Sequence, residues 1–123
     1  MLKSNETQHL VSTLAQFTGS EEFFRYHSRC LLTEGARYLA EQAGCFWLLD
    51  VYASHLAAIS TDEYFTCLKF KRQDDEGTVV IDDGNGVVLA EQEIPYTDFP
   101  LTEIKLYGCW SGEFWTLMLP SEY

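Results

Sequence analysis

The spacing of apolar residues changes character near residue 60, and this restricts the chain to a mixed α+β fold. Before that point apolar positions recur every three or four residues, and after it every second residue. Leu10, Val11, Leu14 and Phe17 follow a polar lead-in containing Ser4 and stop at Thr18-Gly19, which predicts a first helix. Ala36, Leu39, Ala40 and Ala43 fall at i, i+3, i+4 and i+7, behind Thr33 as N-cap and ahead of Gly44 as terminator. Arg37 and Glu41 pair on the outside of this second helix. Cys45 to Ile59 is apolar on nearly every side, as suits a third, central and buried helix.

Beyond Ser60, Leu68 and Phe70 alternate with Lys69 and Lys71, Val79 and Ile81 follow, and Ile104 and Leu106 alternate with Lys105 and Tyr107. These are strand signals. The glycines and Asn of Asp82-Asp83-Gly84-Asn85-Gly86 tolerate positive φ, so the flanking β-rich runs should close as a hairpin. Another turn is expected at Ser111-Gly112, before Phe114 to Leu119. The expected architecture is α+β: about three N-terminal helices packed on one face of a C-terminal four- to five-stranded antiparallel sheet, with acids on the other face.

A chain of 123 residues holds one compact domain, spanning residues 1–123. With 46% apolar and 15% aromatic residues it lacks the composition of a disordered segment. There is no apolar signal region at the start, and the longest apolar stretch is interrupted by Asp50, Ser54 and His55. The expectation is a cytoplasmic protein without a membrane partner. Cys30, Cys45, Cys67 and Cys109 form no C-x-x-C pair, so they read as reduced, mostly buried thiols and not as a zinc site.

Charge is divided unevenly. From Gln73 to Tyr123 there are eleven acidic side chains and one base, Lys105, whereas residues 1–72 hold eight acids and seven bases. Nearly all of the net charge of -11 therefore lies in one half. Such a field repels polyanions and attracts basic protein surfaces. Direct nucleic-acid binding is disfavoured, because phosphate neutralisation needs a basic patch. The acids of the second half, Asp74, Asp75, Glu76, Asp82, Asp83, Glu91 and Glu93, become candidates for binding a basic protein surface. The bland alternative is that they only keep a small domain soluble.

Chemistry has fewer candidates. On the third helix Trp47, Asp50 and Ser54 lie at i, i+3 and i+7, an aromatic, a carboxylate and a hydroxyl on one stripe of an apolar element. They could line a pocket, where desolvation would make Asp50 a better base. Alternatively, Asp50 is buried and paired with Arg25, Arg29 or Arg37. His27 and His55 are the other acid-base candidates. Cys30 and His27 stand at helical spacing, but nothing in the sequence marks the stabilised thiolate or oxyanion hole that a catalytic cysteine requires. The Asp82–Gly86 run lacks the ligand ladder and distal glutamate of a calcium loop, and its Gly-x-Gly pair lacks the strand-to-helix context of a phosphate loop. No metal, nucleotide or other cofactor is expected.

Phe17-Thr18-Gly19-Ser20-Glu21, Tyr26-His27, Thr33-Glu34-Gly35, Tyr38-Leu39-Ala40-Glu41, Tyr96-Thr97-Asp98-Phe99-Pro100 and the terminal Leu119-Pro120-Ser121-Glu122-Tyr123 resemble a family of small uncharacterised bacterial proteins, also met on phages and plasmids and classed as a domain of unknown function. The chain departs from that pattern at Phe24-Arg25-Tyr26-His27, where Tyr26 separates an otherwise adjacent Arg-His pair. The resemblance implies a compact bacterial domain, carried on mobile elements, with no activity to transfer. Two functions are expected of such a chain. The first is a non-catalytic acidic interaction module, such as a mobile-element inhibitor seated in the basic groove of a nucleic-acid-binding protein. The alternative is a small enzyme using Asp50 and His27 in a helix-sheet pocket, which a deep cleft lined by both residues would favour. Trp110, Trp115, Tyr107 and Phe114, crowded into the last strands, also suggest a homodimer.

Overall fold

The computed structural model describes residues 4–27, 29–59 and 62–123. Helix α1 (Ser4–Leu14) precedes a hairpin of β1 (Phe23–His27) and β2 (Cys30–Thr33). Helices α2 (Glu34–Ala43) and α3 (Phe46–Leu56) follow, then β3 (Phe65–Gln73), β4 (Glu76–Asp82), β5 (Val88–Ile94), β6 (Glu103–Trp110) and β7 (Trp115–Met118), and a 3-10 turn at Pro120–Glu122. The strands make one seven-stranded sheet in the order β1-β2-β7-β6-β3-β4-β5. The class is α+β as expected, but the sheet differs in two ways from the four or five antiparallel strands expected. It gains the β1-β2 hairpin, and β2 runs parallel to β7, pairing Cys30 with Trp115 and Leu32 with Leu117. The N-terminal half thus supplies strands as well as helices. β2 is four residues long and abuts α2 directly, and β1 is an edge strand whose residues are exposed or half-buried, so neither leaves a clear alternating signature.

Local chemistry sets the helix boundaries. The Thr33 hydroxyl accepts from the Ala36 N–H at 3.2 Å, and Gly44 ends α2 in the left-handed conformation (φ 62°) that favours glycine. The N-terminus of α2 is capped a second time from the far end of the chain. The Glu122 carboxylate accepts from the Thr33 hydroxyl at 2.6 Å, from the Gly35 N–H at 3.0 Å and from the Leu119 N–H at 3.0 Å. This negative group sits where orphan amides and the helix dipole favour it. Gly35 permits the approach, because a Cβ there would stand 2.5 Å from Glu122 Oε1. The Thr-Glu-Gly and Leu-Pro-Ser-Glu-Tyr blocks, distant in sequence, are therefore two halves of one cap.

Helix α3 has no side-chain cap, and packing holds it. Leu48, Leu49, Tyr52, Ala53 and Leu56 are buried against Leu68 and Phe70 of β3, Leu106 of β6 and Leu117 of β7 in one core. Tyr52 buries its hydroxyl against the Thr66 hydroxyl at 2.7 Å, which satisfies both. Helix α1 lies against α2, and Phe17, just beyond the end of α1, packs on Tyr38 of α2 with ring centroids 5.4 Å apart.

The sheet face opposite α3 is not uniformly acidic. Register places Lys69 between Lys105 of β6 and Val80 of β4, and Lys71 between Glu103 and Thr78, so lysines occupy its centre. The acids lie toward β5, where Glu91 faces Val80 and Glu93 faces Thr78.

Candidate functional site

One cleft brings together more of the candidate chemistry than any other place among the described residues. It has a volume of about 580 Å³ and lies between the C-terminal half of α3 and the end of the sheet formed by β1, β2, β7 and β6. Ala53, Leu56, Ala57 and Ile59 form one wall, and Trp110 and Trp115 the other. The two indole rings are 5.4 Å apart and inclined by 47°. They come from register partners on β6 and β7, whose side chains necessarily fall on the same sheet face. His27, Arg29, Asp50 and Ser54 add the polar groups.

His27 and Asp50 meet at the mouth, with Nε2 3.0 Å from Oδ1. Their side chains are 51% and 54% exposed. The Tyr26 hydroxyl donates a short hydrogen bond to the same Asp50 oxygen and lies 3.1 Å from the Phe46 carbonyl oxygen. The Tyr26 ring packs edge-on against the His27 imidazole at 4.4 Å. These groups converge because a register shift between Arg25 and His27 lets consecutive residues of β1 reach α3. The Tyr26 bond holds the Asp50 carboxyl below the usual carboxylate range, outweighing partial desolvation, with the His27 bond acting in the same direction. Burial raises the Tyr26 hydroxyl, reinforced by its bond to Asp50. Asp50 is therefore a firmly ionised acceptor and Tyr26 a firmly protonated donor.

This corrects the expectation of a buried Asp50 paired with arginine. The residue sits on the flank of α3 turned toward β1 and solvent, and its partners are a tyrosine and a histidine. Ser54 lines the cleft, but its hydroxyl donates back to the Val51 carbonyl at 2.8 Å. Trp47 does not line it; its ring packs edge-on against Phe70 at 5.6 Å. His55 points elsewhere, 2.8 Å from Gln92 on β5. Cys30 borders the cleft as the strand partner of His27 across the hairpin, not at helical spacing, and burial pushes its thiol pKa up, away from a nucleophilic thiolate. Burial likewise pushes Cys45 up to about 12.

The acidic candidates divide into two groups. Asp74, Asp75, Glu76, Glu91 and Glu93 are exposed along the β3-β4 turn and on the edge strand β5. Asp82 is only 6% exposed, accepts from the Gly84 N–H at 2.8 Å and lies 3.3 Å from the Lys69 ammonium. Asp83 is half-buried and accepts from the Asn85 and Val87 N–H groups. Both belong to the architecture of the hairpin turn. No cluster of three or more His, Cys, Asp or Glu side chains suited to a metal occurs among the described residues, and no described helix is long and apolar enough to cross a membrane.

Sequence reasoning passed over Tyr26, Arg29, Trp110 and Trp115 as parts of one site. Tyr26 stood out only as an interruption, and the tryptophans only as apolar excess on strands that pair late in the chain. Their signal was positional: the parallel β2-β7 pairing brings Arg29 and Cys30 beside Trp115 and, through the β6-β7 register, Trp110. A family model described as "Family of unknown function (DUF6876)" matches residues 8–123. No curated protein and no solved structure matches the chain.

Proposed function

The chain belongs to this family of unknown function, and we propose that it is a ligand-binding domain, taking a small amphipathic molecule into the cleft beneath α3. The observation that carries this reading is the convergence of His27, Asp50 and Arg29 at the rim of a largely apolar hollow of about 580 Å³. Small-molecule sites have this composition, with apolar walls supplying affinity and a few fixed polar groups supplying orientation. Asp50 engages His27 Nε2 and the Tyr26 ring packs against the imidazole, while Nδ1 bonds no described residue and could meet a ligand. Binding is to be followed through the indole N–H resonances, with naphthalene derivatives as probes. Trp110 and Trp115 should shift on titration, and Trp47, packed on Phe70 outside the cleft, should not. Unmoved Trp110 and Trp115 resonances at millimolar probe would remove the reading.

A catalytic version is favoured by the His27–Asp50 contact, since a carboxylate that fixes an imidazole is a common way to prepare a general base. A ligand identified by binding should then be converted by the wild type and bound unchanged by His27→Gln. The acidic module is a separate reading. It is favoured by the exposure of Asp74, Asp75, Glu76, Glu91 and Glu93 along one margin of the molecule, where a basic partner surface would be steered. A mobile-element inhibitor of a nucleic-acid-binding protein would work in this way.

A further inference from the structure

Arg25 and Arg29 are two of eight basic residues in a chain of net charge -11. Neither forms an ion pair with a described carboxylate, since the ion pairs there use His27, Arg37 and Lys69. The Arg25 guanidinium lies over the Phe114 ring, 5.4 Å from its centroid. Both arginines border a depression of about 350 Å³ shared with Gly112, Glu113 and Phe114, and Arg29 also borders the apolar cleft. The nearby acids are Asp50, already engaged by Tyr26 and His27, and Glu113, which shares the depression. Lys71, Arg72 and Lys105 are likewise in none of the described ion pairs, so what distinguishes Arg29 is its position beside an apolar cavity. Arg29 stands where the depression meets the apolar cleft.

The walls specify the other half of a ligand. Trp115 is buried and Trp110 half-buried, and they present aromatic surface across from Ala53 and Ala57, one helical turn apart, whose methyl groups leave room for a flat body. We infer that the ligand is an aromatic carboxylate, its ring held between the tryptophans and Ala53/Ala57 and its carboxylate received by the Arg29 guanidinium. The guanidinium fork matches one carboxylate, and a monoanion meets less repulsion from the surrounding negative charge than a phosphate dianion. The inference rests on the cleft being a binding site and adds the charge of what it binds.

Naphthalene-2-carboxylate, naphthalene-2-methanol and naphthalene-2-methylamine share a ring and differ in charge, so titrating each into the full chain separates the two ideas. The carboxylate should bind about tenfold more tightly than the alcohol, as expected for a charge-assisted hydrogen bond, with the amine weakest. Arg29→Gln should bring the carboxylate to the level of the alcohol without weakening the alcohol, and Arg29→Lys should restore part of the preference. The exposed Arg29 side chain makes these variants safe for folding, which a matching melting curve would establish. Equal binding of carboxylate and alcohol to the wild type, or a preference that survives Arg29→Gln, would overturn the anionic ligand and leave the cleft reading intact. Failure of every naphthalene to move Trp110 and Trp115 would overturn both.

Discussion

At the scale of single residues, Asp50 holds the polar geometry of the cleft mouth, because one of its carboxylate oxygens meets both the Tyr26 hydroxyl and His27 Nε2. An aspartate inside the apolar run Cys45 to Ile59 predicts a buried ion, but helical geometry puts the 54% exposed side chain on the solvent flank of α3. Its hydrogen bonds to Tyr26 and His27 are therefore screened, and Asp50→Asn should cost no more than about 1 kcal/mol in a urea titration. A loss of about 3 kcal/mol would instead mean a buried, strongly coupled carboxylate. The direction of the Asp50 shift also fixes a pH dependence. A carboxyl held below its ordinary value of 3.8 stabilises the fold above that value, and the contribution disappears as pH falls through the lower folded-state value. The stability gap between wild type and Asp50→Asn, measured at pH 7 and again near pH 3, should narrow toward acid. A gap that widens there would contradict the assigned direction.

Among the elements, α2 was readable in full and the β1-β2 hairpin was not. Thr33, the apolar spacing from Ala36 to Ala43, and Gly44 are local signals that act over a few residues, and each does in the fold what its chemistry dictates. The strands β3, β4 and β6 and the Asp82–Gly86 hairpin were legible for the same reason. The β2-β7 pairing depends on residues more than eighty positions apart, and no local period encodes it. So the cleft, walled by both ends of that pairing, was visible only in parts: His27, Asp50 and Ser54 were singled out, while Arg29 and the tryptophans were seen without their relation. The Glu122 cap on α2 is equally non-local. Glu122→Ala removes the acceptor of three hydrogen bonds and should lower stability by about 1–3 kcal/mol, with Glu122→Gln falling between it and the wild type. Gly35→Ala should destabilise by a comparable amount, because its methyl group would meet the same carboxylate. If all three variants unfold at the wild-type urea midpoint, the C-terminal turn is not bonded to α2.

Across the whole molecule, charge and hydrophobic surface are arranged differently from what composition suggests. The aromatic excess of the last strands is largely used within the chain. Trp115 is buried, Trp110 faces the cleft, Phe114 lies under Arg25, and Tyr107 joins Phe65 and Tyr123 in mutual edge-on contacts. The acidic margin is exposed, and its role in recognition can be separated from its role in solubility. Asp74 has φ 56°, a conformation that aspartate tolerates better than lysine, so reversing its charge would add backbone strain to any effect on binding. Asp75, Glu76, Glu91 and Glu93 carry no such restriction. Their combined reversal to lysine should leave the melting temperature nearly unchanged, since exposed substitutions away from special backbone positions contribute little. If the margin steers a basic partner captured with the wild-type domain, the same variant should associate more slowly, and its association rate should depend less steeply on ionic strength, because exposed charge acts mainly on encounter. An association rate and salt dependence equal to the wild type's, in a variant that melts like the wild type, would assign these four carboxylates to solvation alone and leave the cleft as the remaining candidate for recognition.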